Sequence, residues 1–462
     1  MIEKDATILK QYTGPLSRSI QDEYAISPEH YRGDVKLGLR NSDGTGVLVG
    51  VSRVGSVQGY LLQDGQRVPI PGQLYYRGIE LTDIVEAHRR AGTFGFEEVA
   101  YLLLMGYLPS KSELVYFDKI MNQARKLPEG FTEGMIMRHP SRSIMNELAR
   151  SVLSLYSYDP DPDNTSIDNM LLQSVKLIGY FPSIVANAYA MQRHYFHGDS
   201  LHIHYPVPEL STAENFLRMM RPDKSYTDEE AHLLDMMLMV HAEHGGGNNS
   251  TFVCRAMSSS GTDTYSAIAG AVGSLKGPLH GGANAKVMEM FHYIKENVNP
   301  HDDGSIKDYL CKLLDGAAGD RSGKLYGLGH AVYTISDPRA VLLKKYAQHM
   351  AEIKGYAGDF ALLQKVETLG IPLIQERRGS DTPMCANVDM YSGLVYTMLG
   401  IPEEVFTPLF ASARIAGWCA NRIEEVVTCH RIMRPAYRAV TTHEKYIPME
   451  ERATHLRLAD VE

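Results

Sequence analysis

The sequence predicts a mainly α-helical protein with one large and one smaller domain, any strands being confined to its N-terminal region. Three observations carry that expectation. The chain has 462 residues, about three times a typical single-domain length. From Tyr75 onward, apolar residues recur at helical spacing behind recognisable start signals. The stretch from Val47 to Pro71 instead sets Gly50, Gly55, Gly59 and Gly65 among β-branched and aromatic residues, a composition suited to short strands. Residues 1–75 are the least regular part.

The helices can be justified in order. Ser110 with Glu113 forms a capping box after Pro109, and Thr227 with Glu230 forms another. Behind the second, Leu233, Met236, Met237 and Val240 keep one apolar face, which brings His241 and His244 out at the C-terminal end. Gly245, Gly246 and Gly247 then force a turn. Residues 263–277 read as a helix rich in Ala, Gly and Ser, suited to close packing. Asp337 followed by Pro338 is an N-cap with proline at the first helical position, so Arg339 sits in the first turn of a helix running through Met350. Ser380 to Met384 is loop-like; residues 389–399 and 404–428 read as two long helices separated by Gly400-Ile401-Pro402. No internal repeat or low-complexity segment interrupts this pattern.

Composition excludes several function classes. Hydrophobic residues make up 44% and charged residues 22%, ordinary for a protein that buries a sizeable core. The net charge of -9 is spread over both signs, which argues against binding a nucleic-acid backbone but not against a small anion in a pocket. The five cysteines (Cys254, Cys311, Cys385, Cys419, Cys429) are odd in number and never spaced CxxC, so they read as thiols of a reducing compartment. The opening residues have no basic n-region ahead of an apolar core, and no apolar run reaches the roughly 18 residues that cross a membrane. The expectation is a soluble, cytoplasmic protein.

Four clusters could carry chemistry: His241-Ala-Glu-His244-Gly-Gly-Gly-Asn248; Gly277-Pro-Leu-His280-Gly-Gly-Ala-Asn284; Gly327-Leu-Gly-His330 with Asp337-Pro-Arg339 beyond; and Asn387-Val-Asp389-Met-Tyr-Ser-Gly393. Each sets an ionisable side chain beside glycines, where backbone can approach a ligand. Arg414 and Arg434 add two cations. Forming a carbon–carbon bond beside a carbonyl needs a base for a weakly acidic C–H, a donor to hold the enolate oxygen, and an acid for the acceptor carbonyl. One carboxylate and two imidazoles can fill those roles, and guanidinium forks would grip a dicarboxylate partner. Plainer readings stand beside this one. His241 and His244 could be a metal pair, although no third ligand is suggested, and His241 alone could cap or pack. His-Gly-Gly-Gly resembles an esterase oxyanion strand but lacks a GxSxG elbow. Ser322-Gly323-Lys324 misses the phosphate-loop pattern, with Ala318 and Leu325 at its required positions. Arg414 could be a structural ion-pair arginine, and Asp389 a helix N-terminal acid.

Read together, GPLHGGAN (277–284), GHAV then DPR (329–339), NVDMYSG (387–393) and TPLFASARIAGW (407–418) resemble the citrate synthase family in order and approximate spacing. Tyr76-Arg77-Gly78-Ile79 and the run from Phe96 to Pro109 resemble its N-terminal helices, so the likeness covers about Tyr75 to Arg434. The resemblance implies a mainly helical, citrate synthase-like homodimer with a large domain (1–276 and 381–462) and a small mobile domain (277–380). It implies condensation of acetyl-CoA, as co-substrate, with oxaloacetate, and no tightly bound cofactor or metal. Asp389 would take the acetyl methyl proton, His280 would hold the thioester oxygen, and His330 would protonate the oxaloacetate ketone. His244, His330, Arg339 and Arg414 would bind oxaloacetate, and Arg434 would reach the neighbouring subunit's site. Closure of the small domain would complete the acetyl-CoA site and exclude water.

Some positions depart from the family. Ala331 follows His330 where many bacterial relatives carry Arg, and Thr334 and the 380–382 loop stand where relatives carry cations for CoA. Lys324, Arg377 and Arg378 are the substitutes here, with Gly327 and Asn387 as the remaining CoA positions. The rival within the class is 2-methylcitrate synthase, which uses propionyl-CoA; one methylene is worth only about 1–3 kcal/mol of discrimination. A metal-dependent hydrolase on His241 and His244 and a silent binding paralogue are the rivals outside it.

Overall fold

A computed structural model of the chain describes residues 13, 17, 20, 24–63, 66–379, 382–441 and 443–452. The opening residues searched for a leader, Thr13 aside, and Ser380 and Asp381 of the expected loop lie outside that set. The chain forms two compact units, one of residues 1–50 with 434–462 and the other Val51–Met433. In the first, the described residues include 3-10 turns at Pro28–Tyr31, Leu37–Leu39 and Met449–Glu451.

The second unit opens on an antiparallel hairpin of β1 (Gly55–Gln63) and β2 (Gln66–Tyr76), with the two-residue β3 (Ile79–Glu80) on the far edge of β2. These strands are longer than expected and end at Tyr76, just past the point where helices were expected to begin. A bulge at Gly59 breaks the register between Gln58 and Tyr60. Glycines that make the segment look irregular in sequence mark close approach instead. A Cβ on Gly59 would lie 2.3 Å from the Val332 carbonyl, and one on Gly72 would lie 2.1 Å from that of Ser336. The hairpin therefore lies against the loop that carries His330.

Fifteen α-helices follow among the described residues: α1 (Leu81–Ala91), α2 (Phe96–Met105), α3 (Lys111–Ala124), α4 (Ile144–Leu155), α5 (Ile167–His197), α6 (Thr212–Met220), α7 (Asp228–His241), α8 (Asn249–Ser258), α9 (Thr264–Leu275), α10 (Ala283–Asn297), α11 (Asp303–Leu314), α12 (Pro338–Lys354), α13 (Ala357–Arg378), α14 (Asp389–Met398) and α15 (Phe406–Thr428). Both capping boxes form: the Ser110 N–H donates to Glu113 at 2.7 Å and the Thr227 N–H to Glu230 at 2.9 Å. The chain is thus mainly α, as the periodicity predicts. The long α5 packs against α3, α4, α6 and α15. In turn α15 is buried along most of its length, with Trp418 fully enclosed, and also meets α2, α7, α8 and α9. Further along, α11 packs on α13, while α10 and α12 pack on α14. No helix among the described residues is long and apolar enough to cross a membrane.

Candidate active site

The clusters singled out in the sequence converge where helices end or begin. His244 follows α7, just before Gly245, whose φ of +81° takes the chain through a turn closed to most side chains. His280 sits in the turn ahead of α10. Next to it, a Cβ on Gly281 would fall 2.5 Å from the Leu275 carbonyl, so the turn needs glycine there. His330 lies on the loop against the hairpin. Asp389 is the first residue of α14, Arg339 lies in the first turn of α12, and Arg414 lies inside α15.

Hydrogen bonds fix which ring nitrogens hold protons. The Ser250 backbone N–H donates to His280 Nε2 at 3.3 Å, and the Ser250 hydroxyl is 3.0 Å from the same nitrogen. Burial and the Arg414 charge push the His280 pKa down to about 4. At neutral pH the ring is therefore uncharged with its proton on Nδ1, a point the sequence left open. His330 is the mirror case. Its Nδ1 accepts the N–H groups of Val332 and Tyr333, both at 3.1 Å, which leaves Nε2 as the donor. The Tyr333 ring stacks on it at 4.6 Å and 23°. His244 stands edge-on to His330 at 5.2 Å, and its Nε2 is buried with no hydrogen-bond partner among the described residues. Burial first, then the charges of Arg339, His330, Arg414 and His280, hold its pKa well below the usual imidazole value.

Asp389 has the opposite shift. Burial raises its pKa to about 6; Asp337 adds to this, and Arg339 and Arg414 oppose it. Its N–H donates to Asn387 Oδ1 at 3.0 Å, and Asn387 Nδ2 donates to the Gly329 carbonyl at 2.9 Å, tying α14 to the His330 loop. A carboxyl near pKa 6 is ionised at neutral pH yet basic enough to take a proton.

The two buried arginines differ. Arg339 donates Nε to Asp337 Oδ1 at 3.0 Å and Nη2 to Oδ2 at 2.7 Å. Its helix N-terminus already has a carboxylate too, since the Arg339 N–H donates to Asp337 at 3.0 Å. The positive end of α12 is thus met first by the chain's own Asp337. Arg414 is fully buried and donates Nε to the His241 carbonyl at 2.6 Å, while Nη1 and Nη2 have no partner among the described residues. Burial lowers its pKa to about 10. An ion-pair role for Arg414 finds no support, because no carboxylate among the described residues pairs with it. A buried fork with two unused donors is a site for an anion.

The remaining residues are less tightly gathered. Gly327 is buried with φ +82°, and its carbonyl accepts the Asn387 N–H at 2.9 Å. Lys324, Arg377 and Arg378 are exposed, and Arg377 is engaged by Asp315. Arg434 is exposed and belongs to the other unit. His241 donates Nδ1 to the Met237 carbonyl at 2.8 Å and packs edge-on to Phe410 at 4.7 Å, a capping and packing role. Among the described residues no three His, Cys, Asp or Glu side chains are grouped as metal ligands would be. Sequence reasoning passed over Ser250, Asp337's grip on Arg339 and the stacking of Tyr333. Only Asp337 left a usable trace, as an N-cap two residues before an arginine.

The family model described as citrate synthase, C-terminal domain, matches residues 43–436. A citrate synthase of Deinococcus radiodurans is 35% identical over 77% of this chain and 88% of its own length. A 2-methylcitrate synthase of Shewanella oneidensis is 30% identical over 82% of this chain and 92% of its own. A solved citrate synthase from Thermoplasma acidophilum, in ternary complex with carboxymethyl coenzyme A and oxaloacetate, superposes with TM-score 0.74 at 26% identity, covering 91% of this chain and all of that one. With the match spanning the convergent histidines, Asp389 and Arg414, the chain belongs to the citrate synthase family.

Proposed function

We propose that the chain's citrate synthase chemistry, condensation of acetyl-CoA with oxaloacetate and water to citrate and CoA, runs on Asp389, His280 and His330. The observation that carries this reading is the buried Arg414 fork, unpartnered at Nη1 and Nη2, beside three histidines and a carboxylate of raised pKa. Oxaloacetate carboxylates would take Arg414 and the N–H groups of Arg339 not spent on Asp337, with His244 at the carbonyl end. Asp389 removes a proton from the thioester methyl while the Nδ1–H of His280 holds the oxygen that becomes enolic. The enol carbon attacks the ketone, whose oxygen takes its proton from His330 Nε2; over the cycle, the alcohol gains one proton as Asp389 removes one. Water then attacks the citryl thioester, the C–S bond breaks, and CoA leaves as the thiol.

Several finer points belong to the same proposal and rest on the resemblance. Residues 277–380 form the mobile domain that closes over CoA, with Gly327 and Asn387 near the adenine and Lys324, Arg377 and Arg378 near the phosphates. The chain works as a cytoplasmic homodimer with Arg434 supplied to the neighbouring site. Five cysteines, all free, suit a reducing compartment. The test is CoA release, followed with a thiol reagent, from acetyl-CoA or propionyl-CoA with oxaloacetate. Fast release from acetyl-CoA alone supports the reading; preference for propionyl-CoA makes the chain a 2-methylcitrate synthase. No oxaloacetate-dependent release with either refutes both.

A further inference from the structure

One buried side chain at the site carries a polar group that none of the steps above uses. Tyr333 is 1% exposed and lies three residues beyond His330, on the loop against the hairpin. The hairpin grips its root. A Cβ on Gly59 would lie 3.2 Å from the Tyr333 Cα, and one on Gly72 would lie 2.5 Å from Cδ1 and 2.9 Å from Cε1. From that grip the ring stands among three of the proposed oxaloacetate ligands. It stacks on His330 at 4.6 Å and 23°, and meets His244 edge-on at 5.7 Å and 80°. The Arg339 guanidinium carbon lies 6.0 Å from its centroid. Packed on so many sides, the ring cannot turn aside, and its hydroxyl is held in one place.

That hydroxyl is buried and has no hydrogen-bond partner among the described residues. Other buried tyrosines spend theirs: Tyr76 donates to the Met239 carbonyl at 2.9 Å, Tyr265 to Asp159 at 2.7 Å, and Tyr391 to Glu367. A hydroxyl taken out of water with nothing to bond weakens the empty fold, and phenylalanine would fill the same space without it. The deficit disappears when a ligand supplies the acceptor. Burial, opposed by the Arg339 charge, pushes the phenol far above its ordinary pKa, so the proton stays available for donation. Oxaloacetate brings two carboxylates and a keto oxygen, all of them acceptors. We infer that Tyr333 is a further oxaloacetate-binding residue, its hydroxyl donating to an oxygen of the substrate held among His330, His244 and Arg339. The inference rests on the oxaloacetate reading of the site.

The test compares Tyr333→Phe with the parent, by titration calorimetry with oxaloacetate and by thermal melting without it. Phenylalanine keeps the ring, its stack on His330 and its fit against Gly72, and removes only the hydroxyl. Oxaloacetate should bind the variant at least fivefold more weakly, the loss expected of one hydrogen bond to a charged or polarised acceptor. KM for oxaloacetate should rise with it. The empty variant should melt within about 3 °C of the parent or above it, since no internal bond is lost. A purely structural tyrosine gives the opposite pattern. Binding weakened less than fivefold, or an empty variant that melts lower than that margin, overturns the inference. A parent protein that neither binds oxaloacetate nor releases CoA is a different failure, that of the proposed function itself.

Discussion

Replacing Arg414 with methionine should destroy oxaloacetate binding and leave the empty protein no less stable. The two effects come from the same geometry. Nη1 and Nη2 are buried and unpartnered, so a ligand carboxylate would gain two charge-assisted hydrogen bonds there. At about 1.5–3 kcal/mol each, their loss weakens binding by about two to four orders of magnitude. In the empty protein the same group is a buried cation with no ion pair among the described residues, and desolvation depresses its pKa to about 10. Methionine relieves a burden of several kcal/mol, and the change sacrifices one bond to the His241 carbonyl, worth about 1 kcal/mol, plus some attraction to Glu243. The assay is a thermal melt with and without oxaloacetate. At a hundred times Kd the parent should gain about 2.7 kcal/mol, and Arg414→Met should gain nothing. Equal protection of variant and parent, or an empty variant melting more than about 5 °C lower, would refute the argument.

Asp389 gives a pH prediction with a definite sign. Turnover should fall below an apparent pKa of about 6, as the base takes up a proton. Because the folded pKa is raised above the ordinary value of 3.8, Asp389 destabilises the fold progressively as pH rises from about 4 through 6. Asp389→Asn should therefore unfold later than the parent at pH 8, by up to about 3 kcal/mol in denaturant titration, and should bind oxaloacetate without turnover; a variant that melts earlier at pH 8 contradicts the shift. Gly72→Ala should lower kcat at least tenfold, since its Cβ would press on the Ser336 carbonyl at 2.1 Å and on the Tyr333 ring at 2.5 Å, displacing the loop that holds His330. Normal turnover by Gly72→Ala would mean the hairpin does not support that loop. Ser250→Pro should abolish activity by removing the N–H that sets the His280 tautomer, whereas Ser250→Ala, which keeps it, should retain most of the turnover; equal loss in both would separate His280 from that bond.

How much of this was legible in the sequence follows from the range of each interaction. Helices announced themselves because capping boxes and glycine stops act within four residues, as at Ser110 and Glu113 or at Gly245. The hairpin was blurred because Gly59 and Gly72 answer to a loop more than 260 residues away, and local reading sees only flexible residues. His280, His330, Asp389 and Arg414 were found through motifs taken together. The group that sets the His280 tautomer was not: Ser250 reaches His280 across 30 residues. Arg339 was legible as a helix-start cation, but its pairing with Asp337 hid in the ordinary look of an N-cap.

Burial acts on this site with one cause and two signs. It lowers His244, His280 and Arg414 and raises Asp389, in every case as the largest influence. The outcome is a pocket of uncharged imidazoles with fixed donors, one moderately basic carboxylate and one cation whose hydrogen bonds are unspent. Uncharged imidazoles matter here, since a cationic His280 beside Arg414 would add repulsion before substrate arrives and would have to lose its Nε2 proton to keep the Ser250 bond. Neutral donors stabilise charge only as it develops on the substrate oxygens, which favours the transition state over the ground state. Opening the pocket to water would weaken all four shifts at once, so exclusion of solvent is itself what makes Asp389 basic enough to act on a C–H bond.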